Sequence, residues 1–221
     1  FRGISHINHE TKEVTAGAGT RLAALGDSLA EQQLGMINMP DVNTQSLAGA
    51  IATSTHGTGQ KFGSLSKYIT GLTLVTAKGE TLKCSNKENK NIFDAARCNI
   101  GSLGIIIDLT VQVRDHYYLK ERSEMLPIDE AFEKMEELRL AKSHFEAFGL
   151  PHANHVLLIE FTEVSKEESD ANQSEEGDNG DAYETFRTLA NVIDAMPFLR
   201  GTVMNIAPRT VGVEERYGAW N

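Results

Sequence analysis

The chain opens on two short alternations of apolar and polar residues. Ile4 and Ile7 flank a polar turn at residues 8–12, and Glu13–Gly19 follows as an extended run ending in glycine, so a strand pair is expected. Thr20 has the side chain of a helix N-cap. Leu22, Leu25 and Leu29 recur at helical spacing and predict an amphipathic helix over 21–33, ended by Gly35. Residues 71–77 read as a strand, Lys78-Gly79 as its turn and residues 81–84 as the return strand of a hairpin. Residues 91–99 read as a helix with Ile92, Ala95 and Ala96 on one face. Gly101 and Gly104 bracket a tight turn, and the apolar run 105–113 is the strongest strand signal in the chain.

The pattern then changes. Residues 116–124 are polar and extended. Asp129 is expected to cap a helix running through Ala141, with Phe132, Met135 and Leu138 as its core face. Two strands follow at 144–150 and 156–163. Residues 163–181 are acidic and low in complexity and read as a solvated surface loop. Phe186, Leu189, Val192 and Ile193 mark a last helix. The organisation is α+β on both sides of a boundary near residue 114, without an internal repeat.

Charge narrows the function classes. A net charge of −10 over 221 residues argues against nucleic acid or an anionic membrane surface as the main partner. Two cysteines, Cys84 and Cys98, make no disulfide framework and read as free buried thiols. No apolar run is long enough to cross a bilayer as a helix. The histidines lack cysteines or carboxylates at ligand spacing, so no metal site is expected. The Phe1-Arg2-Gly3-Ile4 start reads as the middle of something, and both ends of a longer protein are expected to be missing.

One stretch carries candidate chemistry. Residues 46–59, SLAGAIATSTHGTG, are dominated by small side chains and lack charge. A backbone without bulky groups can approach a flat or anionic ligand and aim its N–H groups at it. The hydroxyls of Ser46, Thr53, Ser54 and Thr55 add donors. On these grounds the stretch is either a cofactor- or phosphate-binding loop or a tightly packed glycine-rich turn. A GxxxxGKS/T phosphate loop is absent, as are a GxGxxG dinucleotide fingerprint and a GxSxG nucleophile elbow.

The residues from Met39-Pro40-Asp41-Val42 into Leu47–Gly59 resemble the second half of a vanillyl-alcohol-oxidase type (PCMH-type) FAD-binding domain. Within that superfamily they are most similar to the sugar-1,4-lactone oxidases acting on L-gulono-, L-galactono- and D-arabinono-1,4-lactones. Residues 72–80 (LTLVTAKGE), 93–97 (FDAAR) and 101–106 (GSLGII) agree in order and spacing. Residues 144–146 and 150–153 are similar to the start of the family's substrate domain. The resemblance implies an α+β fold: the second part of a PCMH-type FAD-binding domain over 1–114, then the start of a substrate (cap) domain over 115–221 with the acidic loop 163–181.

The same resemblance implies roles. The backbone of Gly49, Ala50, Ile51 and Ala52 would line FAD near its pyrophosphate and flavin, with Ser46 as a hydroxyl contact upstream. Thr53, Thr55, His56, Gly57 and Gly59 would shape the same wall. Gly104, Ile105 and Ile106 would meet the adenine end through backbone groups, and Asn38 stands where the family often touches the cofactor. His56 is either a packed structural residue or a flavin contact. The pyrophosphate loop would precede Phe1 and the catalytic residues would follow Asn221, so no catalytic residue is expected among these 221. Glu214, Glu215 and Arg216 read as a solvated charge run.

The implied reaction is oxidation of a CH–OH group of a sugar lactone, with oxygen or another acceptor reoxidising the flavin. Its rivals are a polyol (alditol) oxidase of the same superfamily, a truncated FAD-type fold without activity, and an unrelated phosphate- or nucleotide-binding module.

Overall fold

In the computed structural model, which describes residues 1–149, 153–172 and 213–219, the first alternation forms a hairpin of β1 (Ile4–Asn8) and β2 (Glu13–Gly17). The helix α1 (Leu22–Ala30) follows, with Leu22, Leu25, Gly26 and Leu29 buried. Thr20 is not its cap. Its hydroxyl donates to the Gly17 carbonyl at 2.7 Å and accepts from the Gly3 N–H at 2.9 Å, tying the two strands together. Two N–H groups of the first turn of α1, from Leu22 and Ala23, go instead to the carbonyls of Gln45 and Asn43, both at 3.0 Å. Tertiary acceptors have replaced the local cap. Gly35 does not end the helix but lies inside β3 (Leu34–Met36).

The stretch expected to be a loop contains a short helix, α2 (Leu47–Ala52), which buries Leu47, Ala50 and Ile51. A 3-10 turn at Leu65–Tyr68 leads into β4 (Ile69–Val75), and β5 (Thr81–Ser85) returns as expected. The next helix, α3 (Lys90–Ala96), buries Phe93 and Ala96; Ala95, expected on that face, is exposed. Phe93 and Ala96 stand one turn apart and set the core face, which turns Ala95 outward. The long strand β6 (Ile105–Asp115) then crosses the unit.

These strands form a sheet in the order β1-β2-β6-β4-β5, with β3 also pairing with β6. All the pairings are antiparallel. Val14 and Ala16 of β2, Leu72 and Leu74 of β4, and Leu109 and Val111 of β6 bury their side chains in one cluster with α1, α2 and Phe93. Burying Leu47 and Ile51 against it contributes roughly 1.5–3 kcal/mol each, which is what holds so short a helix.

The first compact unit covers Phe1–Tyr117, and the second covers Tyr118–Ala219. In the second, β7 (Tyr118–Pro127), the helix α4 (Ile128–Ala141), β8 (His144–Gly149), β9 (His155–Val164), the helix α5 (Lys166–Asn172) and β10 (Glu214–Ala219) build a sheet in the order β10-β7-β9-β8. Ala131 and Leu138 of α4 pack on Val156 and Leu158, with Met135 beside them. Phe132, expected in that face, is 62% exposed: it lies one position round the helix from Ala131, which turns it out. Asp129 sits in the first turn, and Pro127 holds the cap position without a side-chain bond.

The acidic segment is ordered in its first half, against expectation. Residues 163–164 complete β9, and α5 begins at Lys166. Ser165 Oγ accepts the Glu168 N–H at 3.1 Å, and Lys166 pairs with Asp170 one turn on. A cap and an i,i+4 pair supply the local order that composition alone does not register. Residues 173–181, the helix expected around Phe186–Ile193, and Leu150–His152 lie outside the described residues. Cys84 is buried as expected, but Cys98 is exposed.

Candidate functional site

The small-residue stretch is held from both ends. Leu47 N–H donates to the Thr20 carbonyl at 2.7 Å and Ala48 N–H to the Ala18 carbonyl at 3.0 Å, so the start of α2 hangs from the β2–α1 connection. Ser66 Oγ donates to the Ile51 carbonyl at 3.0 Å, fastening its last turn. Ser46 caps the helix, its Oγ accepting the Gly49 N–H at 3.3 Å. With Leu47, Ala50 and Ile51 turned inward, the outward face is Ser46, Gly49, Ala52 and Thr53. Gly49 and Thr53 are exposed, and Ser46 and Ala52 partly so.

The hydroxyls of Thr53 and Thr55 donate to neighbouring residues. Thr53 Oγ1 donates to the Gly49 carbonyl at 3.0 Å, and Thr55 Oγ1 to Gln45 Oε1 at 3.0 Å. Each has one proton, so what these two offer outward is acceptor lone pairs. His56 is exposed, and its Nδ1 lies 2.9 Å from the Gly57 carbonyl. A carbonyl only accepts, so Nδ1 is the donor in this contact.

Gly57 locks the second half of the stretch against residues 38 and 39. Asn38 is buried and its Nδ2 donates to the Thr58 carbonyl at 3.1 Å. Ser54 and Gly59 both have positive φ, 57° and 98°, and turn the chain on either side of His56. Sequence reasoning missed Gln45, which orients Thr55; only its position beside Ser46 hinted at it.

Gly104 immediately precedes β6, which Ile105 and Ile106 begin. Gly104 has φ +140°, and a Cβ there would lie 2.3 Å from the Val75 carbonyl oxygen, so glycine is required on both counts. Ile105 and Ile106 pair with Val75 and Leu74 of β4. Ile105 is 72% exposed. The loop ahead of this segment reaches α2: Cys98 Sγ lies 3.5 Å from the Ala52 carbonyl. That contact, which the sequence did not announce, links the two candidate segments. Among the described residues no group of three or more His, Cys, Asp or Glu side chains is placed to hold a metal ion. Glu214, Glu215 and Arg216 lie exposed on β10, where Glu215 pairs with Lys120 at 2.8 Å.

Comparison with known proteins gives these elements a context. Residues 1–85 match the family model described as an FAD binding domain, and residues 109–218 match that described as D-arabinono-1,4-lactone oxidase. The chain is 38% identical over 154 residues to an L-gulono-1,4-lactone dehydrogenase of Mycobacterium tuberculosis, covering 70% of this chain and 35% of the relative. It is 32% identical over 168 residues to the L-gulonolactone oxidase of Mus musculus, covering 76% of this chain and 38% of the relative. The chain thus spans about a third of the length of the curated relatives it matches. A solved structure, a solvent-stable cholesterol oxidase, superposes with a TM-score of 0.78 at 21% identity, covering 99% of this chain and 47% of that one. At that identity the likeness speaks for the fold.

The cofactor that the family match indicates is FAD. The residues present fit it. The outer face of α2 has no side chain longer than threonine's, and a Cβ on Gly49 would meet only Ser46 Oγ, at 2.9 Å, and otherwise open space. A planar, anionic group can approach such a face without displacing anything bulky.

Proposed function

Because the chain belongs to the FAD-linked sugar-1,4-lactone oxidase family, we propose that it supplies part of the cofactor wall and the beginning of the substrate domain of an oxidoreductase acting on a CH–OH group of a sugar-1,4-lactone. The observation that carries this reading is the outer face of α2. It is small, exposed and rigidly seated, next to a family match that begins before it and ends after it.

In this reading residues 1–114 are the C-terminal part of the FAD-binding domain and residues 115–221 open the substrate domain. Gly49, Ala50, Ile51 and Ala52 offer backbone to the cofactor, and Ser46 offers its hydroxyl. Thr53, Thr55, Gly57 and Gly59 shape the wall, and Gly104, Ile105 and Ile106 present strand-edge backbone to the adenine end. His56 lies exposed on the same wall. When bound, FAD supplies the hydride acceptor and hands the electrons on to oxygen or another acceptor. This chain's residues bind, orient and exclude water; the proton of the substrate hydroxyl is assigned to none of them.

The test is anaerobic reduction of the full-length protein. Addition of D-arabinono- or L-gulono-1,4-lactone is expected to bleach the flavin absorbance. Bleaching by alditols alone would move the protein to the polyol oxidases, and no bleaching by either class would overturn the reading.

A further inference from the structure

β7 and β9 carry charge that the flavin site does not use. Their register sets Lys120 opposite Thr162 and Arg122 opposite Glu160. Alternate residues on a strand share a face, so these four lie on one face with Leu126, Val156 and Leu158. The latter three form the apolar stripe under α4. That helix ends at Ala141, and Lys142 follows as its C-cap. There the stripe gives way to charge, and a cleft of about 260 Å³ opens, lined by Lys120, Arg122, Lys142, Glu160 and Thr162.

The groups in it are organised. Glu160 is 9% exposed. Its Oε1 is held by Arg122 Nη1 at 3.0 Å and its Oε2 by Lys142 Nζ at 3.2 Å. Lys142 Nζ also donates to Thr162 Oγ1 at 3.2 Å. At the rim Lys120 pairs with Glu215 at 2.8 Å, and Glu124 takes both Arg122, at 2.9 Å, and Lys134. Four cations (Lys120, Arg122, Lys134, Lys142) therefore face three carboxylates (Glu124, Glu160, Glu215), which leaves one positive charge in excess.

Partly buried charge is stable when matched, so the excess favours a monoanion. Glu160 in the wall disfavours a phosphate dianion. A carboxylate and a hydroxyl beside the cations also suit a ligand that donates and accepts through hydroxyls. Pockets for drug-sized ligands run to roughly 300–1,000 Å³, so this cleft suits a smaller molecule. We propose that it binds a small polyhydroxylated monocarboxylate, a sugar acid, with the carboxylate on Arg122 and the lysines and the hydroxyls on Glu160 and Thr162. Water opening a lactone ring breaks its ester C–O bond and yields such an acid. The link to a substrate's ring-opened form rests on the lactone reading; the cleft chemistry does not.

Calorimetric titration of the full-length protein tests this, with D-gluconate as the sugar acid, sorbitol as the neutral polyol and inorganic phosphate as the simple anion. Saturable gluconate binding is expected, at least about tenfold tighter than either control. Lys142→Met and Thr162→Val should each weaken it about tenfold while flavin content and the KM for lactone hold; Lys142→Met also lowers the melting temperature by leaving Glu160 with Arg122 alone, and Thr162→Val does not. Absence of gluconate binding, equal binding of sorbitol or phosphate, or binding that survives both substitutions would overturn the proposal. Flavin content and lactone turnover, read on the same samples, report separately on the oxidase reading. Thr162→Val leaves every ion pair intact, so it decides the matter if Lys142→Met unfolds.

Discussion

Replacing Gly57 by alanine tests whether the candidate loop is seated as described. The added Cβ would stand 2.1 Å from the Met39 carbonyl oxygen, 2.9 Å from the Met39 carbonyl carbon and 2.7 Å from Asn38 Oδ1. Optimal carbon contacts lie near 3.5–4.0 Å, so the 38–39 backbone or the whole loop must move. Asn38 and Met39 are 3% and 6% exposed and cannot yield into solvent. Overpacking of this kind costs about 1–3 kcal/mol. If the Asn38–Thr58 bond breaks, a buried amide is left unpaired at a further cost of about 1–3 kcal/mol. Taking the lower ends, the loss is about 2 kcal/mol. At roughly 2–4 °C per kcal/mol for a unit of 150–250 residues, the melting temperature should fall by about 4–8 °C. The assay is calorimetric melting of the full-length protein, with Gly149→Ala as control because nothing lies within 4 Å of a Cβ there. A Gly57→Ala protein that melts with the wild type would refute the packing argument.

Three other outcomes follow from the same structure. Ser46→Ala removes the α2 cap and should cost about 1 kcal/mol in urea unfolding; an unchanged midpoint would mean that tertiary bonds alone hold the helix. Cys98 should react with a thiol reagent in the native protein, while Cys84, whose thiol is pushed up by burial and then by Glu88, should react only after unfolding. Peptide mapping that finds Cys84 labelled first would contradict this. The hydrogen bond from Lys134, helped by Arg122, holds the Glu124 carboxyl below its ordinary range. Such a group stabilises above its unfolded pKa and loses that contribution as pH falls through its folded value. Lys134→Met should therefore destabilise at pH 7, with the gap narrowing in acid; a gap that widens in acid would be the wrong sign.

The sheet was legible where local signals and tertiary structure agree. The alternation at 4–17, the Lys78-Gly79 turn and the apolar run at 105–113 all became the strands they suggest. Misreadings arose where a distant partner took over a local role. Thr20 looks like a cap, but the carbonyls at residues 43 and 45 already serve the helix. Phe132 looks like core because it is large and apolar, yet helical phase puts Ala131 inward. The helix in the acidic segment depends on Ser165 and on the Lys166–Asp170 pair, details that composition averages away. At the candidate site the small-residue composition was visible. That the Thr53 and Thr55 hydroxyls are tied up internally, and that Cys98 closes on Ala52, are three-dimensional facts that spacing does not encode.

The central claim is that the outer face of α2 is a flavin wall. Visible absorbance of the full-length protein tests it most directly, recorded for the wild type and for Ala52→Leu, which adds bulk to a half-exposed position on that face. The expected result is a flavin spectrum in the wild type and its loss in an Ala52→Leu protein that melts normally. A folded Ala52→Leu protein with full flavin content, or a wild type that stays colourless after addition of FAD, would contradict it.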